Sequence, residues 1–302
     1  MKQSYLARTE LLLGQEAMER ISAARVILFG VGGVGSWCAE GLVRSGIRHL
    51  TIVDSDRISE SNVNRQLMAT SSTVGKIKVE VLRNRLTDIN PEAEIIALRE
   101  IYSAETASRF DLDSYDYVID AIDSLKDKCD LIVRAAASRA TFFSSMGSAL
   151  KIDPLRIRVA PFAEVRGCPL GSALRKKLRR EGRFPDRPFL CVYDDEVLPN
   201  LGAAPTGEVV YPPTGKSLYE EDMADRGPEH PSKGVDARGL VNGRGPRSGR
   251  DLPFEGYTSG PATEDMTSGS TSKAVINGTM AHITAIFGFT LAGLVFQDIT
   301  RR

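Results

Sequence analysis

The chain has 302 residues, 42% of them hydrophobic and 26% charged. That excludes an intrinsically disordered protein and suffices for one large domain or two small ones. Lysine plus arginine equals aspartate plus glutamate, 39 of each, so a polycation that coats nucleic acid is excluded while a local basic patch is not.

Residues Met1 to Arg20 mix charges and hold no apolar stretch before a small-residue cleavage site, so no secretory signal is expected. Arg25–Gly30 (RVILFG) reads as a short buried strand and Gly33–Ser45 as a helix. His49–Asp54 (HLTIVD) reads as a second strand. Gly75–Asn90 is a longer helix with Val79, Leu82 and Leu86 on one face and Pro91 just beyond it. Further strands are predicted at Glu94–Leu98, Tyr117–Asp120 and Phe142–Met146, with a helix over Ser124–Arg139. Alternating strands and helices predict an α/β fold: a Rossmann-like, doubly wound, mostly parallel sheet covered on both faces.

Between Pro199 and Lys273 stand 12 glycines and 9 prolines, about twice their density in the whole chain, with no sustained helical period. This predicts a long flexible insertion, 199–273, between a main domain, 1–198, and a C-terminal helix, 274–302, that packs back on it. Val275–Phe296 has no Asp, Glu, Lys or Arg. Its length permits a membrane span, but Asn277, Gly278, Thr279, His282, Thr284 and Thr290 favour a core or dimer-interface helix, with His282 packed inside. A cytoplasmic protein is expected, membrane association through 275–296 being the alternative.

Gly30-Val31-Gly32-Gly33-Val34-Gly35 follows a strand and opens a helix. Glycines let the backbone approach a phosphate, and the helix N-terminus offers free N–H groups. Asp54 ends the next strand, where an acid accepts hydrogen bonds from ribose hydroxyls. Alone, this pattern points to a dinucleotide such as NAD. The residues that follow point to a triphosphate: Asp56, then Ser61-Asn62-Val63-Asn64-Arg65-Gln66, Lys76 and Lys78, and Asp120-Ala121-Ile122-Asp123. Several phosphate charges call for Arg and Lys clamps and Mg²⁺. Asp123, just past a strand end, is the candidate Mg²⁺ ligand.

GVGGVG, VDSD, SNVNRQ, VGKIKVE, INP and VIDAID, in this order and spacing, resemble the ThiF/MoeB superfamily of ubiquitin-activating-enzyme-like adenylyltransferases over about residues 8–165. The resemblance implies ATP as ligand. It places the nucleotide against Gly30, Gly32, Gly33, Gly35, Asp54, Asp56, Asn62, Arg65, Gln66, Lys78 and Asp123. Asp54 would hold the ribose, Asn62 and Arg65 the phosphates, and Asp123 the Mg²⁺, while Lys78 would stabilise charge on the α-phosphate. It also implies a homodimer in which Arg8, in ARTELLLG, completes the partner's phosphate site, although Tyr5 and Leu6 stand where an Arg-aromatic pair is usual.

The four cysteines, Cys38, Cys129, Cys168 and Cys191, lie far apart with no CxxC pair. This disfavours the zinc-stapled branches that activate carrier proteins and suits a reducing compartment. RTELLLG, GVGGVGSW, GIRHLTIVDSD, NVNRQ, YVIDAIDS, Asp153-Pro154, the segment Pro169–Glu181 and CVYDDE instead resemble the tRNA threonylcarbamoyladenosine dehydratase branch. That implies ATP-dependent cyclisation of the modified adenosine in the tRNA anticodon loop. An adenylyltransferase acting on a sulfur-carrier or ubiquitin-like protein shares every ATP residue and is the alternative. An NAD-dependent reductase and a non-catalytic nucleotide-binding adaptor are the more distant ones.

Leu174–Arg187 carries seven cations, and on one helix Arg175, Arg179 and Arg183 would form a stripe able to meet tRNA phosphates. Phe189 and Tyr193 are candidates for base stacking. Arg238, Arg244, Arg247 and Arg250 form a second basic cluster. Cys191 is either a packed thiol or a persulfide or thioester carrier, which would imply a sulfur-relay partner.

Overall fold

The structure, a computed structural model, describes residues 5–202 and 277–301. All but four residues of the expected insertion, and its basic cluster Arg238, Arg244, Arg247 and Arg250, lie outside the described residues.

Two short helices, α1 (Ala7–Leu13) and α2 (Gln15–Ala23), precede the sheet. Then follow β1 (Arg25–Phe29), α3 (Gly35–Arg44), β2 (His49–Val53), α4 (Lys78–Ile89) and β3 (Glu94–Leu98). The second half holds β4 (Tyr117–Asp120), α5 (Leu125–Ala137), β5 (Thr141–Ser145), β6 (Arg158–Pro161), α6 (Pro169–Arg180), β7 (Leu190–Tyr193) and α7 (Ala281–Arg301). One seven-stranded sheet runs β3-β2-β1-β4-β5-β7-β6. Every pairing is parallel except β6 with β7. The chain winds outward from β1 to β3, then returns to β4 beside β1. The crevice at the carboxyl ends of β1 and β4 is therefore the topological switch point, where ligands of such sheets bind.

Successive side chains of a strand point to opposite faces. Val26 and Leu28 of β1 enter a core with α3, α4 and α7, while Ile27 and Phe29 enter a second core with α5 and α6. Helix α7 lies across α3, with Ile283, Phe287, Leu291 and Val295 fully buried. The approach is close because Gly288 has no side chain: a β-carbon there would stand 2.5 Å from the Val34 carbonyl oxygen. By length and composition α7 would pass for a membrane span; its buried stripe makes it a core helix.

Several sequence expectations are corrected. The predicted helices begin late. Gly75 takes φ +85° and Ile77 bridges to Arg57 in extended form, so α4 starts at Lys78. α7 starts at Ala281, and His282 is exposed, its Nε2 donating to the Ile152 carbonyl at 2.9 Å; it is not packed inside. Strands β6 and β7 had no sequence prediction, because four residues give too short a pattern. Phe189 and Tyr193 are buried; Phe189 stacks on Phe162 at 5.1 Å, so neither ring is free for a base.

Candidate nucleotide site

The glycine loop leaves β1 at the switch point. Gly30 takes φ +83°, and a β-carbon there would lie 2.7 Å from the Ala121 carbonyl oxygen. The loop folds back so tightly that a β-carbon on Gly35 would overlap the Gly30 carbonyl, at 1.8 Å. These two positions admit only glycine. The loop delivers the chain to the N-terminus of α3, which no side chain caps. Unpaired N–H groups and the helix dipole there favour an anion.

Each neighbouring segment is tied to this loop. Asp54, at the end of β2, accepts the Val31 N–H on Oδ2 and the Asp56 N–H on Oδ1, both at 2.9 Å. Each carboxylate oxygen keeps a lone pair for a further donor, as a ribose would supply. Gln66 is buried, its Nε2 3.8 Å from where a Gly32 β-carbon would stand. Its Oε1 is buried and finds no hydrogen-bond donor among the described residues, an orphan that a bound hydroxyl or amine would satisfy.

The Arg65 side chain passes 3.6 Å from the corresponding point on Gly33. Its Nη1 donates to the Ser61 carbonyl (2.8 Å) and to Asn64 Oδ1 (2.9 Å). Trp37 Nε1 donates to the Arg65 carbonyl at 3.1 Å, fixing that loop to α3. Asn62 is buried and its Oδ1 caps the Ser59 N–H at 3.0 Å, a structural duty besides the expected one.

Lys78 opens α4 with its side chain 7% exposed, and its Nζ pairs with the exposed Asp56 at 2.7 Å. Asp123 is exposed on the loop after β4, two residues beyond the carbonyl that meets Gly30. The described residues hold no cluster of three or more His, Cys, Asp or Glu arranged for a metal. Mg²⁺ is commonly held by one or two carboxylates plus substrate phosphates, so a lone Asp123 fits a nucleotide-borne ion and not a protein-only cage.

Arg8 stands apart. Leu6, two residues before it, lies 3.6 Å from where a Gly46 β-carbon would be. Gly46 follows the C-terminal end of α3, whereas the glycine loop adjoins its N-terminus. Within one chain Arg8 is thus at the far end of α3 from the nucleotide loop.

Sequence reasoning missed what lies beneath the Asp123 loop. Asp120 and Lys128 are both fully buried and paired at 2.8 Å, and Ser144 Oγ donates to Asp120 at 2.7 Å. The only signal was a lysine five residues after Asp123, in a helix register that turns it inward. A second buried cation, Lys151, follows β5; its Nζ donates to the Glu196 carbonyl, and burial pushes its ammonium pKa down.

The expected arginine stripe on α6 is not formed. The helix ends at Arg180, and Gly182 at φ +62° turns the chain. Arg183 then points inward to Asp130 at 2.7 Å. Arg175 lies over the Phe162 ring and donates to its carbonyl. Lys177 pairs with Glu181, and Arg187 holds the Ala136 carbonyl at 3.0 Å. Lys176, Arg179 and Arg180 remain exposed. Cys191 is fully buried and burial pushes its thiol pKa well up, which withholds the thiolate that persulfide chemistry requires; the packed reading holds.

A ThiF family model matches residues 6–200. The tRNA threonylcarbamoyladenosine dehydratase of Bacillus subtilis is 43% identical over 176 residues, 58% of this chain and 69% of that protein. Proteins of the same name from Haemophilus influenzae and Escherichia coli are 38% identical over 173 residues (57% and 66% of the two chains) and 35% over 173 residues (57% and 65%). The chain thus spans about two thirds of the length of these relatives. The E. coli enzyme's crystal structure in complex with ATP superposes with a TM-score of 0.69 at 24% identity, covering 98% of this chain and 94% of that one; this shows a shared fold.

Proposed function

The chain belongs to the ThiF family, and from that premise we propose that it is an ATP-dependent tRNA threonylcarbamoyladenosine dehydratase. The observation that carries the reading is the convergence of Asp54, Arg65, Gln66, the Asp56–Lys78 pair and the Asp123 loop on one glycine loop at the switch point. The names of the relatives support tRNA as the substrate over a carrier protein.

In this reading ATP is a substrate. Its ribose hydroxyls donate to Asp54, and its phosphates lie over the N-terminus of α3. The threonyl carboxylate of the modified adenosine attacks the α-phosphorus, the bond to the bridging oxygen breaks, and pyrophosphate leaves. Lys78 and Arg65 stabilise the charge that builds on the phosphate oxygens. A nucleophile within the same modification then attacks the acyl carbon and gives up its proton to solvent, closing a ring as the acyl–oxygen bond breaks and AMP leaves with the carboxylate oxygen. The nucleoside has lost one water. Proximity within the substrate replaces a protein nucleophile, which accords with four buried cysteines. Asp123 is the residue to hold Mg²⁺, which when bound would neutralise phosphate charge.

Arg8 serves the partner's site in a homodimer. Leu11 and Leu12, on the same helix, are 88% and 82% exposed, an apolar surface that a second copy would cover. A cytoplasmic setting follows from the substrate.

The test incubates threonylcarbamoyladenosine-bearing tRNA with the protein, ATP and Mg²⁺, then weighs the nucleosides. ATP-dependent loss of one water is expected, and Lys78→Ala and Asp123→Ala should lower the rate by about 10²–10³-fold. Unchanged nucleoside, with pyrophosphate exchange only on adding a Gly-Gly-ended carrier protein, would overturn the tRNA reading.

A further inference from the structure

The loop Ala121–Ser124 carries Asp123 and abuts Gly30, and its backbone is gripped from below. The Ile122 N–H donates to Asp120 Oδ1 at 3.0 Å. The Ile122 carbonyl accepts from Lys128 Nζ at 2.9 Å. Asp120 Oδ2 and Lys128 Nζ are themselves paired at 2.8 Å with neither side chain exposed, and Ser144 Oγ donates to the same Oδ2 at 2.7 Å. One buried ion pair therefore fixes both polar groups of the residue immediately before Asp123. Taking two charges out of water is costly, and such a pair is weak evidence of stabilisation. A hydrophobic pair would fill the space but would leave the Ile122 carbonyl without its donor.

We propose that Lys128 is a positioning residue for the nucleotide-borne metal: through the Ile122 carbonyl it orients the loop that presents Asp123, and it touches neither substrate. The proposal rests on the reading of Asp123 as metal ligand. Outer-shell partners of this kind orient a ligand by holding the group next to it.

The experiment measures Mn²⁺ uptake, by electron paramagnetic resonance, into the complex of the full chain with an α,β-methylene ATP analogue. Metal-free analogue binding and thermal midpoints are measured alongside. Lys128→Met should weaken Mn²⁺ uptake by about tenfold or more, with metal-free analogue binding little changed. Lys128→Met also leaves Asp120 buried without its cation, so Asp120→Asn/Lys128→Met is compared with it. The double variant removes the charge imbalance but not the missing donor. Its thermal midpoint should recover while Mn²⁺ uptake stays weak. Recovery of both together would overturn the positioning role and leave a structural one. Unchanged uptake in Lys128→Met, with uptake lost in Asp123→Ala, overturns the role of Lys128 alone. Unchanged uptake in Asp123→Ala overturns the metal reading of Asp123 and the proposal with it.

Discussion

Thr284 of α7 stands directly over Gly33: a β-carbon on Gly33 would come within 3.1 Å of Thr284 Cγ2. The Thr284 hydroxyl, on the other branch of that side chain, donates to the Ala281 carbonyl at 3.0 Å. Residues 251 positions apart in the chain thus share one contact at the nucleotide loop. Asn64 reinforces it, its Nδ2 donating to the Thr279 carbonyl at 3.0 Å. The start of α7 is part of the wall of the site.

Gly33→Ala should therefore strain this contact, at about 1–3 kcal/mol for overpacking, and weaken ATP binding. Thr284→Ala should be mild by itself and should restore much of the loss when combined. A double-mutant cycle on thermal stability and ATP affinity measures the coupling; strict additivity would show that the two residues do not press on each other.

Arg8→Ala and Lys78→Ala should each be strongly impaired alone, by about 10²–10³-fold for Lys78→Ala. If Arg8 acts across a twofold dimer, subunit exchange in an equal mixture leaves one intact site in each hybrid, about a quarter of all sites. Turnover near that level is the expected result. No recovery after demonstrated subunit exchange would place Arg8 in the service of its own chain or of none.

The exposed cations of α6 predict how tRNA binding depends on salt. Arg179→Ala with Arg180→Ala should weaken tRNA association at low salt and reduce the slope of log affinity against log salt by about 2. Arg183→Ala should leave that slope unchanged, because its guanidinium is spent on Asp130. Equal slopes for both variants would argue that α6 does not face the tRNA.

Asp130 accepts from Arg183, Arg134 and Tyr102 at 2.7, 2.8 and 3.0 Å. Burial alone would raise its carboxyl pKa, but these three donors together bring it below the ordinary value. A carboxylate with a depressed folded pKa stabilises the fold at pH above the unfolded value, about 3.9, and that stabilisation is lost as pH falls through the folded value. Asp130→Asn should cost about 1.5–3 kcal/mol at neutral pH. The gap to the parent protein should close in acid denaturation profiles below about pH 4. A gap independent of pH would mean that the charge is not what matters.

Much of this protein was legible in one dimension. β1, β2, β3 and β4 declare themselves as apolar runs, and Gly30, Gly35, Asp54, Lys78 and Asp123 sit at spacings that local chain geometry carries to the strand ends. The order of motifs was enough to place the chain in its family. The tertiary structure decided matters of side-chain direction and long-range contact, which spacing does not encode. It turned Arg183 inward because Gly182 ends α6, and buried Phe189 and Tyr193 because β7 lies inside the sheet. It carried Thr284 onto Gly33, put Lys128 under Ile122, and set Arg8 at the opposite end of α3. Local periodicity reports which residues share a face; only the packed chain reports what that face meets.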